Sequence, residues 1–421
     1  MQLQSILRRV QPLPGFVYTD VLFQQTRAGT QIQIGVRPRR RCKPVCSGCQ
    51  QKRPGYDTLE PRHFAFVPLW GVAVFLIYAM RRVDCKTCGV VVESVPWATG
   101  KSPMTHAYTW FLASWAKVLS WQETARRFRT TWDTVFRAVE LAVRWGLEHR
   151  NLDGIRAIGV DELAWKKGHK YLTLVYQIDH GSRRLLHIAR DRTAESFRSF
   201  FDMLGPERSH RIAFVASDMW KAFLRVVRER CSVAVHVLDR FHVMQLMSKA
   251  IDQTRRLEVR ALRASGRHVL LTKTRWLLLK RPKNLTRDER GRLRALREHV
   301  GINLRTLRAY LLKEQFQHFW TYRSVPGARR FLDTWTRMAM RSRIDPIKKF
   351  ARTLRQHRRE LLNWFLARGQ FAAGATEGFN NKARITTRKA YGFRTYKHAE
   401  IALYHALGDL PEPDWLTHRF A

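Results

Sequence analysis

The sequence predicts an α+β multidomain protein, and three observations carry that prediction. Two CxxC pairs near the N-terminus, Cys46/Cys49 and Cys85/Cys88, mark a small metal-held β module. Between Ile155 and Leu238 strand and helix patterns alternate, the mark of a packed sheet. From Phe241 to about Gln370 the chain is almost wholly helical and very basic, and a last helical segment opens at Glu377.

Each element follows from local pattern. Residues 1–40 hold a short amphipathic helix (Leu3, Ile6, Leu7, Val10) and a strand, read from the alternation Gln31-Ile-Gln-Ile-Gly-Val. Residues 41–95 carry the cysteines. The apolar run Phe64–Met80 within them is short for a membrane span and broken by Pro68 and Gly71, which favours a pair of buried strands. Met104–Leu147, poor in Gly and Pro, holds two or three helices, and the turn Asn151-Leu-Asp-Gly154 closes them. Three strands follow, Ile155–Asp161, Tyr171–Asp179 and Arg184–Arg190, with hairpin-like breaks at Lys166-Lys-Gly-His and Asp179-His-Gly-Ser. Next come a helix at Ala194–Leu204, a strand at Ile212–Ser217, a helix at Trp220–Arg230 and a strand at Val233–Leu238. Three antiparallel strands followed by helix, strand, helix, strand is the order of an RNase H-like α/β core. The expected organisation is an N-terminal region with a zinc ribbon (1–98), a helix-turn-helix domain (99–150), the first part of the core (151–248), a basic α-helical insertion (249–370) and the C-terminal part of the core (371–421).

Composition narrows the function. The chain carries 77 Lys+Arg against 34 Asp+Glu, a net charge of +43, spread along its length rather than confined to one tail or amphipathic helix. That distribution fits contact with a phosphate backbone better than with a membrane surface. Hydrophobic residues at 45% and 14 Trp exclude a disordered chain. The N-terminus lacks the apolar segment of a secretory signal, so the expectation is a soluble, cytoplasmic protein. Five of the six cysteines lie within 47 residues of each other, four of them in two close pairs, which argues against a disulfide framework of the secreted kind.

On such a basic chain, isolated acids in apolar settings stand out. Thiolates with two residues between them reach one tetrahedral ion, so Cys46, Cys49, Cys85 and Cys88 form a closed zinc site if a β-hairpin brings the two pairs together; Cys42 is a substitute ligand. Ser120-Trp-Gln-Glu-Thr-Ala-Arg-Arg-Phe followed by Thr130-Thr-Trp-Asp-Thr-Val-Phe-Arg reads as a helix-turn-helix, with Arg126, Arg127, Arg129, Thr134 and Arg137 placed for DNA; an ordinary helical hairpin gives the same local pattern. Asp161 closes the first core strand and Asp218 the fourth, and adjacent strands put the two carboxylates side by side, where both can hold divalent metal. Each alone reads equally as a strand-end or capping aspartate. Glu162 alternates to the opposite face, which favours Asp161. Asp239 and His242, three residues apart, serve as support to the metal site or as a structural pair. Glu377 opens a helix as a third oxygen ligand, with Asn380, Asn381 and Lys382 behind it to hold phosphate or orient water, and Arg384, Arg388 and Lys389 along a basic, aromatic stretch suited to nucleic acid.

Together the segments Cys46/Cys49 with Cys85/Cys88, Gly159-Val-Asp-Glu, Ser217-Asp-Met-Trp-Lys, Asp239-Arg-Phe-His, Thr376-Glu-Gly-Phe-Asn-Asn-Lys and the closing Ala402-Leu-Tyr-His-Ala-Leu-Gly-Asp-Leu-Pro-Glu-Pro resemble the zinc-ribbon DDE transposases of bacterial insertion sequences, the ISL-three family. The likeness runs in order over nearly the whole chain. It implies an RNase H-like catalytic domain whose acidic triad maps onto Asp161, Asp218 and Glu377, loaded with two Mg²⁺ or Mn²⁺ ions, beside a structural Zn²⁺. It also implies double-stranded DNA as partner, both the terminal inverted repeats and the target, a homodimer or higher oligomer in the synaptic complex, and a nucleoid-associated location without membrane contact. The expected chemistry is metal-dependent cleavage of the transposon end by water and joining of the freed 3′-hydroxyl to target DNA. Two other classes share parts of the pattern: a structure-selective RNase H-like nuclease, and a non-catalytic zinc-ribbon/helix-turn-helix regulator.

Overall fold

The computed structural model of the chain describes residues 3–26, 29–166, 168–266, 271–298, 304–367 and 375–417. They fall into two compact units, one formed by 1–150 with 404–406 and 410–421, the other by 151–403 with 407–409.

The first unit begins with α1 (Leu3–Val10) and a six-stranded sheet of β1 (Phe16–Thr26), β2 (Gly29–Pro38), β3 (Val45–Cys46), β4 (Gly55–Leu69), β5 (Val72–Cys85) and β6 (Gly89–Ser94). The order is β1-β2-β5-β6-β3, with β4 also on β5. The apolar run 64–80 does form a pair of strands. Phe64 and Phe66 face Leu76 and Val74 across the β4–β5 pairing, all four buried, and the chain reverses at Trp70-Gly71, both in the left-handed region. No helix among the described residues is long and apolar enough to cross a membrane. The sequence reading missed β1, whose alternation is interrupted by a bulge between Tyr18 and Val21 and whose outer half is exposed. Three helices follow the sheet before residue 150: α2 (His106–Val118), α3 (Trp121–Arg127) and α4 (Trp132–His149).

The second unit is built on a five-stranded sheet of β7 (Ala157–Lys166), β8 (Lys170–Asp179), β9 (Ser182–Arg190), β10 (Phe214–Ser217) and β11 (Val235–Leu238), ordered β11-β10-β7-β8-β9. β7, β8 and β9 are antiparallel neighbours, while β10 runs parallel to both β7 and β11. Between the strands lie α5 (Ala194–Leu204), α6 (Pro206–His210) and α7 (Lys221–Arg230). Ile158, Val160, Val175 and Leu186 of the sheet share one core with Phe197, Phe200 and Phe223 of α5 and α7.

From there the chain is helical. It runs through α8 (Arg240–Ala264), α9 (Arg275–Leu279), α10 (Arg287–Glu298), α11 (Arg305–Gln317), α12 (Val325–Arg341), α13 (Asp345–Gln356) and α14 (Arg358–Leu366), then α15 (Ala375–Lys389), α16 (Tyr396–Leu407) and α17 (Asp414–Thr417). α8 through α14 bury one continuous core, with Phe316, Phe319 and Trp335 among its fully enclosed side chains.

One expectation is corrected here. Asp161 does not end its strand. β7 continues five residues further, to Lys166, with Leu163 buried and pairing to β8 maintained through Ala164. What ends is the pairing on the other side, because β10 matches β7 only from Ala157 to Gly159. Asp161 and Glu162 thus occupy a stretch of β7 open on the side where β10 has stopped, which is how a strand tolerates two adjacent acids.

Candidate active site and cysteine centre

The parallel strands β7, β10 and β11 deliver four acids to one end of the sheet. Asp161 and Glu162 lie just beyond the last β10 pairing, Asp218 follows β10 directly, and Asp239 follows β11, its N–H donating to Ser217 O at 2.9 Å. The carboxyl ends of parallel strands are where α/β sheets commonly place their chemistry.

Each acid is held differently. Asp161 is largely enclosed. Its Oδ2 accepts from Asn380 Nδ2, its Oδ1 accepts from the Glu162 N–H at 2.7 Å, and burial pushes its carboxyl above the usual range. Asn380 itself is buried, its Oδ1 accepting from Tyr176 OH at 3.2 Å, while the neighbouring Phe379 stacks on the Tyr176 ring at 4.7 Å. These contacts dock α15 on β7 and β8. Asp218 Oδ1 accepts from the Trp220 N–H at 2.9 Å, at the start of α7, leaving Oδ2 turned to Arg192 Nη2 at 3.8 Å. Asp239 caps α8 rather than lying within it: Oδ1 accepts from Phe241 N–H at 2.8 Å, and Oδ2 pairs with His242 Nδ1 at 3.2 Å.

His242 stands among three of these acids. The bond to Asp239, with further attraction from Asp161 and Asp218, outweighs its burial and raises the imidazole to about 9. Glu162, which the alternation rule set aside, does belong to this neighbourhood: it pairs with Arg192, and burial with the nearby Asp218 and Asp161 raises it to about 7. Both groups therefore prefer their protonated form in the folded protein. The His242 contribution is complete below its ordinary 6.5 and lost as pH rises through about 9, and the Glu162 contribution is complete below 4.5 and lost through about 7. Metal-free protein should accordingly lose thermal stability steadily from mildly acidic to alkaline pH, and His242→Gln should flatten the upper part of that decline. Melting temperatures of the two proteins across the range check this, and parallel curves would remove His242 from the account.

The remaining sequence candidates divide. Glu377 lies in the first turn of α15, three residues before Asn380; its side chain lies outside the described residues. Asn381, Lys382, Arg384 and Arg388 are exposed on the same helix and Lys389 is half-buried, so only Asn380 of that group is seen to join the acids. Among the described residues no three acids bring their oxygens as close as the cysteines bring their sulfurs. Arg192 and Tyr176 escaped the sequence reading as site residues. A single arginine among 77 Lys+Arg carries no signal of its own.

The four cysteines Cys46, Cys49, Cys85 and Cys88 place their Sγ atoms within 4.8 Å of one another, Cys49 and Cys85 at 3.6 Å. Ligand sulfurs about 2.3 Å from a tetrahedral zinc would stand roughly 3.8 Å apart. The group can therefore hold a metal. The residues between the two pairs are occupied by the β4–β5 hairpin, which accounts for the long spacing. Gly48 is required by closeness, since a Cβ there would come within 2.8 Å of Cys88 Sγ. Backbone N–H groups of Cys88 and Thr87 lower the Cys85 thiol to about 6, favouring the thiolate. Cys42 stands outside the group, its Sγ 3.8 Å from Lys43 O.

In the helical part of the first unit, Ser120 and Glu123 form a reciprocal capping box on α3, and Thr131 caps α4 by accepting from Thr134 N–H at 3.2 Å. Arg129 turns the chain between them in the left-handed region. Arg126, Arg127, Arg129 and Arg137 are exposed, whereas Thr134 is half-buried and shares its hydroxyl with Thr131 at 2.8 Å.

Comparison with known proteins sets the class: this is a transposase, a DNA-processing protein. A family model described as transposase matches residues 158–403, which spans the five-stranded sheet from Ile158 onward, the helices through α15 and most of α16. The chain is 32% identical over 415 residues to a transposase for insertion sequence element IS1557 of Mycobacterium tuberculosis, covering 92% of this chain and 91% of that protein. It is 28% identical over 376 residues to a transposase for insertion sequence element IS1001 of Bordetella parapertussis, covering 88% and 90%. The chain belongs to the ISL3 family of transposases.

Proposed function

We propose that this transposase binds the terminal inverted repeats of an insertion sequence, cleaves the DNA at its ends and joins the freed 3′-hydroxyls to a target, with Asp161, Asp218 and Glu377 as its acidic triad on an RNase H-like core. The observation that carries the reading is the gathering of acids at the carboxyl ends of β7, β10 and β11, with α15 fastened to Asp161 through Asn380. Glu377 stands three residues before Asn380 in α15.

The donor set suits a hard divalent cation, being all oxygen. Two Mg²⁺ or Mn²⁺ ions held by the triad would supply activation of the attacking oxygen and stabilisation of the leaving one. The protein's own groups do the rest. Asn380 fixes the Asp161 carboxylate, Asp239 fixes His242, and the His242 imidazolium offsets the crowding of negative charge before DNA arrives. In cleavage the oxygen of water attacks phosphorus as the bond to the 3′-oxygen breaks and that oxygen takes a proton; in joining, it gives up the proton and attacks a target phosphorus as the target's own bond to its 3′-oxygen breaks, leaving a target 3′-hydroxyl. A labelled inverted-repeat end incubated with protein, metal and target plasmid tests the whole reading: cleaved ends without joined product would favour a nuclease, and neither product would favour a regulator.

For recognition, α3 and α4 are the proposed helix-turn-helix and the cysteine centre the proposed zinc ribbon. The reader in α4 and the general grip should separate in a salt titration, because each neutralised phosphate releases counter-ions. Arg255, a natural candidate for the grip, is instead committed to Asp252 at 2.8 Å, so the exposed Arg352 and Arg355 of α13 are the better probes. Arg352→Ala with Arg355→Ala should weaken binding to every sequence alike and flatten the salt slope by about 1–2. Arg137→Ala should instead reduce the preference for transposon ends, and full preference in that variant would move the reading element elsewhere.

A further inference from the structure

We propose that Arg192 is a resident counter-ion of the acidic site, holding Glu162 and Asp218 until DNA phosphate takes its guanidinium, so that DNA and divalent metal each favour binding of the other. This rests on the carboxylate reading of the site given above.

The geometry of Arg192 is that of a releasable group. Its Nε is paired with Glu162 Oε1, while its Nη2 stands 3.8 Å from Asp218 Oδ2, beyond hydrogen-bond range, so the hold on Asp218 is the loose one. The guanidinium lies over the Trp220 ring at 4.7 Å, and the side chain is 36% exposed, so an incoming phosphate can reach it. A structural arginine in the same chain looks different. Arg81 gives Glu93 three hydrogen bonds of 2.7–3.0 Å, and Glu93 is almost wholly buried. The backbone of Arg192 is fixed between β9 and Thr193, which caps α5, so only the side chain has to move.

The charges explain the coupling. Four acids (Asp161, Glu162, Asp218, Asp239) are faced by two cations, Arg192 and His242. Since Asp218 Oδ1 is already engaged by the Trp220 N–H, Oδ2 is the oxygen for which Arg192 and a divalent ion compete. Arginine keeps its proton throughout the working pH range, so once displaced it must find another anion. A DNA phosphate is that anion, bound by the same planar fork. Thermodynamic linkage then makes the effect reciprocal: DNA that draws Arg192 away tightens metal binding by the factor by which metal tightens DNA binding.

The test is Mn²⁺ affinity of the full-length, zinc-replete protein, read by electron paramagnetic resonance with and without a random-sequence duplex, which offers phosphates but no cleavable end. Wild type should bind Mn²⁺ about fivefold or more tightly when the duplex is present. Arg192→Gln should bind it that tightly without DNA and gain little on adding it. Mn²⁺ held in the DNA's own ion atmosphere is the same for both proteins and cancels in the comparison. If Arg192→Gln leaves DNA-free affinity unchanged or weaker, or keeps the wild-type gain, the proposal is overturned. Should that variant fail to fold, Arg192→Lys, which retains the charge but not the fork, should show a smaller gain than wild type, and an equal gain overturns the proposal. Asp218→Asn separates the two levels. Loss of Mn²⁺ binding there with no effect at Arg192 leaves the site standing and sinks this inference alone, whereas wild-type Mn²⁺ binding in Asp218→Asn sinks both.

Discussion

Asp161→Asn, Asp218→Asn and Glu377→Gln are each expected to lower end cleavage and strand transfer by more than about 10³-fold, beyond the 10²–10³ typical of losing one transition-state donor. The substitutions preserve shape and remove one negative charge, so the loss would report the charge that divalent metal needs. DNA binding should survive nearly intact, because a chain of net charge +43 does not depend on three acids for its grip. Asn380→Ala provides the graded comparison. It leaves all three acids in place but frees the Asp161 carboxylate, and a supporting contact of this kind is worth about 10–100-fold. Cleavage and joining of a labelled end by the four variants, with binding measured in parallel, decide the matter. Normal strand transfer by any one of the three acid variants would remove that residue from the triad, and an Asn380→Ala loss as deep as theirs would show that α15 is folded by that contact rather than merely aligned.

How much of this was legible in the sequence depended on which kind of pattern carried it. The helix Ala194–Leu204 and the cysteine pairs could be placed because their signals are local: a capping threonine, an apolar 3.6 period, ligands with two residues between them. The order of the five core strands, with α5 and α7 between them, was legible for the same reason. The end of β7 was not, since what matters at Asp161 is where the neighbouring strand β10 stops pairing, a fact recorded some fifty residues away. The choice between Asp161 and Glu162 shows the limit most clearly. Alternation separates the two faces correctly in a paired strand, yet past the end of β10 it is Glu162 that lies near Asp218 and meets it through Arg192. Arg255 shows another limit: nothing in composition sets it apart from the other basic residues, yet the fold pairs it with Asp252.

Removal of the metal from the cysteine centre is expected to unfold that centre and leave the sheet beside it folded. The apolar cluster around the cysteines contains, besides the thiols, only Val83 and the partly buried Val91, too little to hold the segments 45–53 and 85–92 in place. A structural zinc contributes an apparent binding free energy of about 10–16 kcal/mol, as large as the net stability of a typical domain at ~5–15 kcal/mol. The neighbouring cluster is of another order, with Phe16, Tyr18, Ile32, Ile34, Phe64, Leu76, Tyr78 and Trp97 all buried, and the three aromatic contacts of Trp97 lie wholly within it. The boundary between the two is the Glu93 carboxylate, paired to Arg81 and accepting from Tyr78 OH at 2.5 Å, which ties β5 to β6 without help from the cysteines. Protein as purified and kept reduced should carry about one zinc per chain. Cys85→Ser with Cys88→Ser, or a strong chelator, should release it and raise hydrogen exchange in 45–53 and 85–92 to near the unfolded rate, while amides of β2, β4 and the first half of β5 stay protected. Preference for transposon ends should fall in the same variant, with non-specific binding kept. Exchange that spreads over the whole sheet would make the metal the keystone of the entire unit, and exchange that does not change at all, or protein that contains no zinc, would end the assignment of a structural metal to these four cysteines.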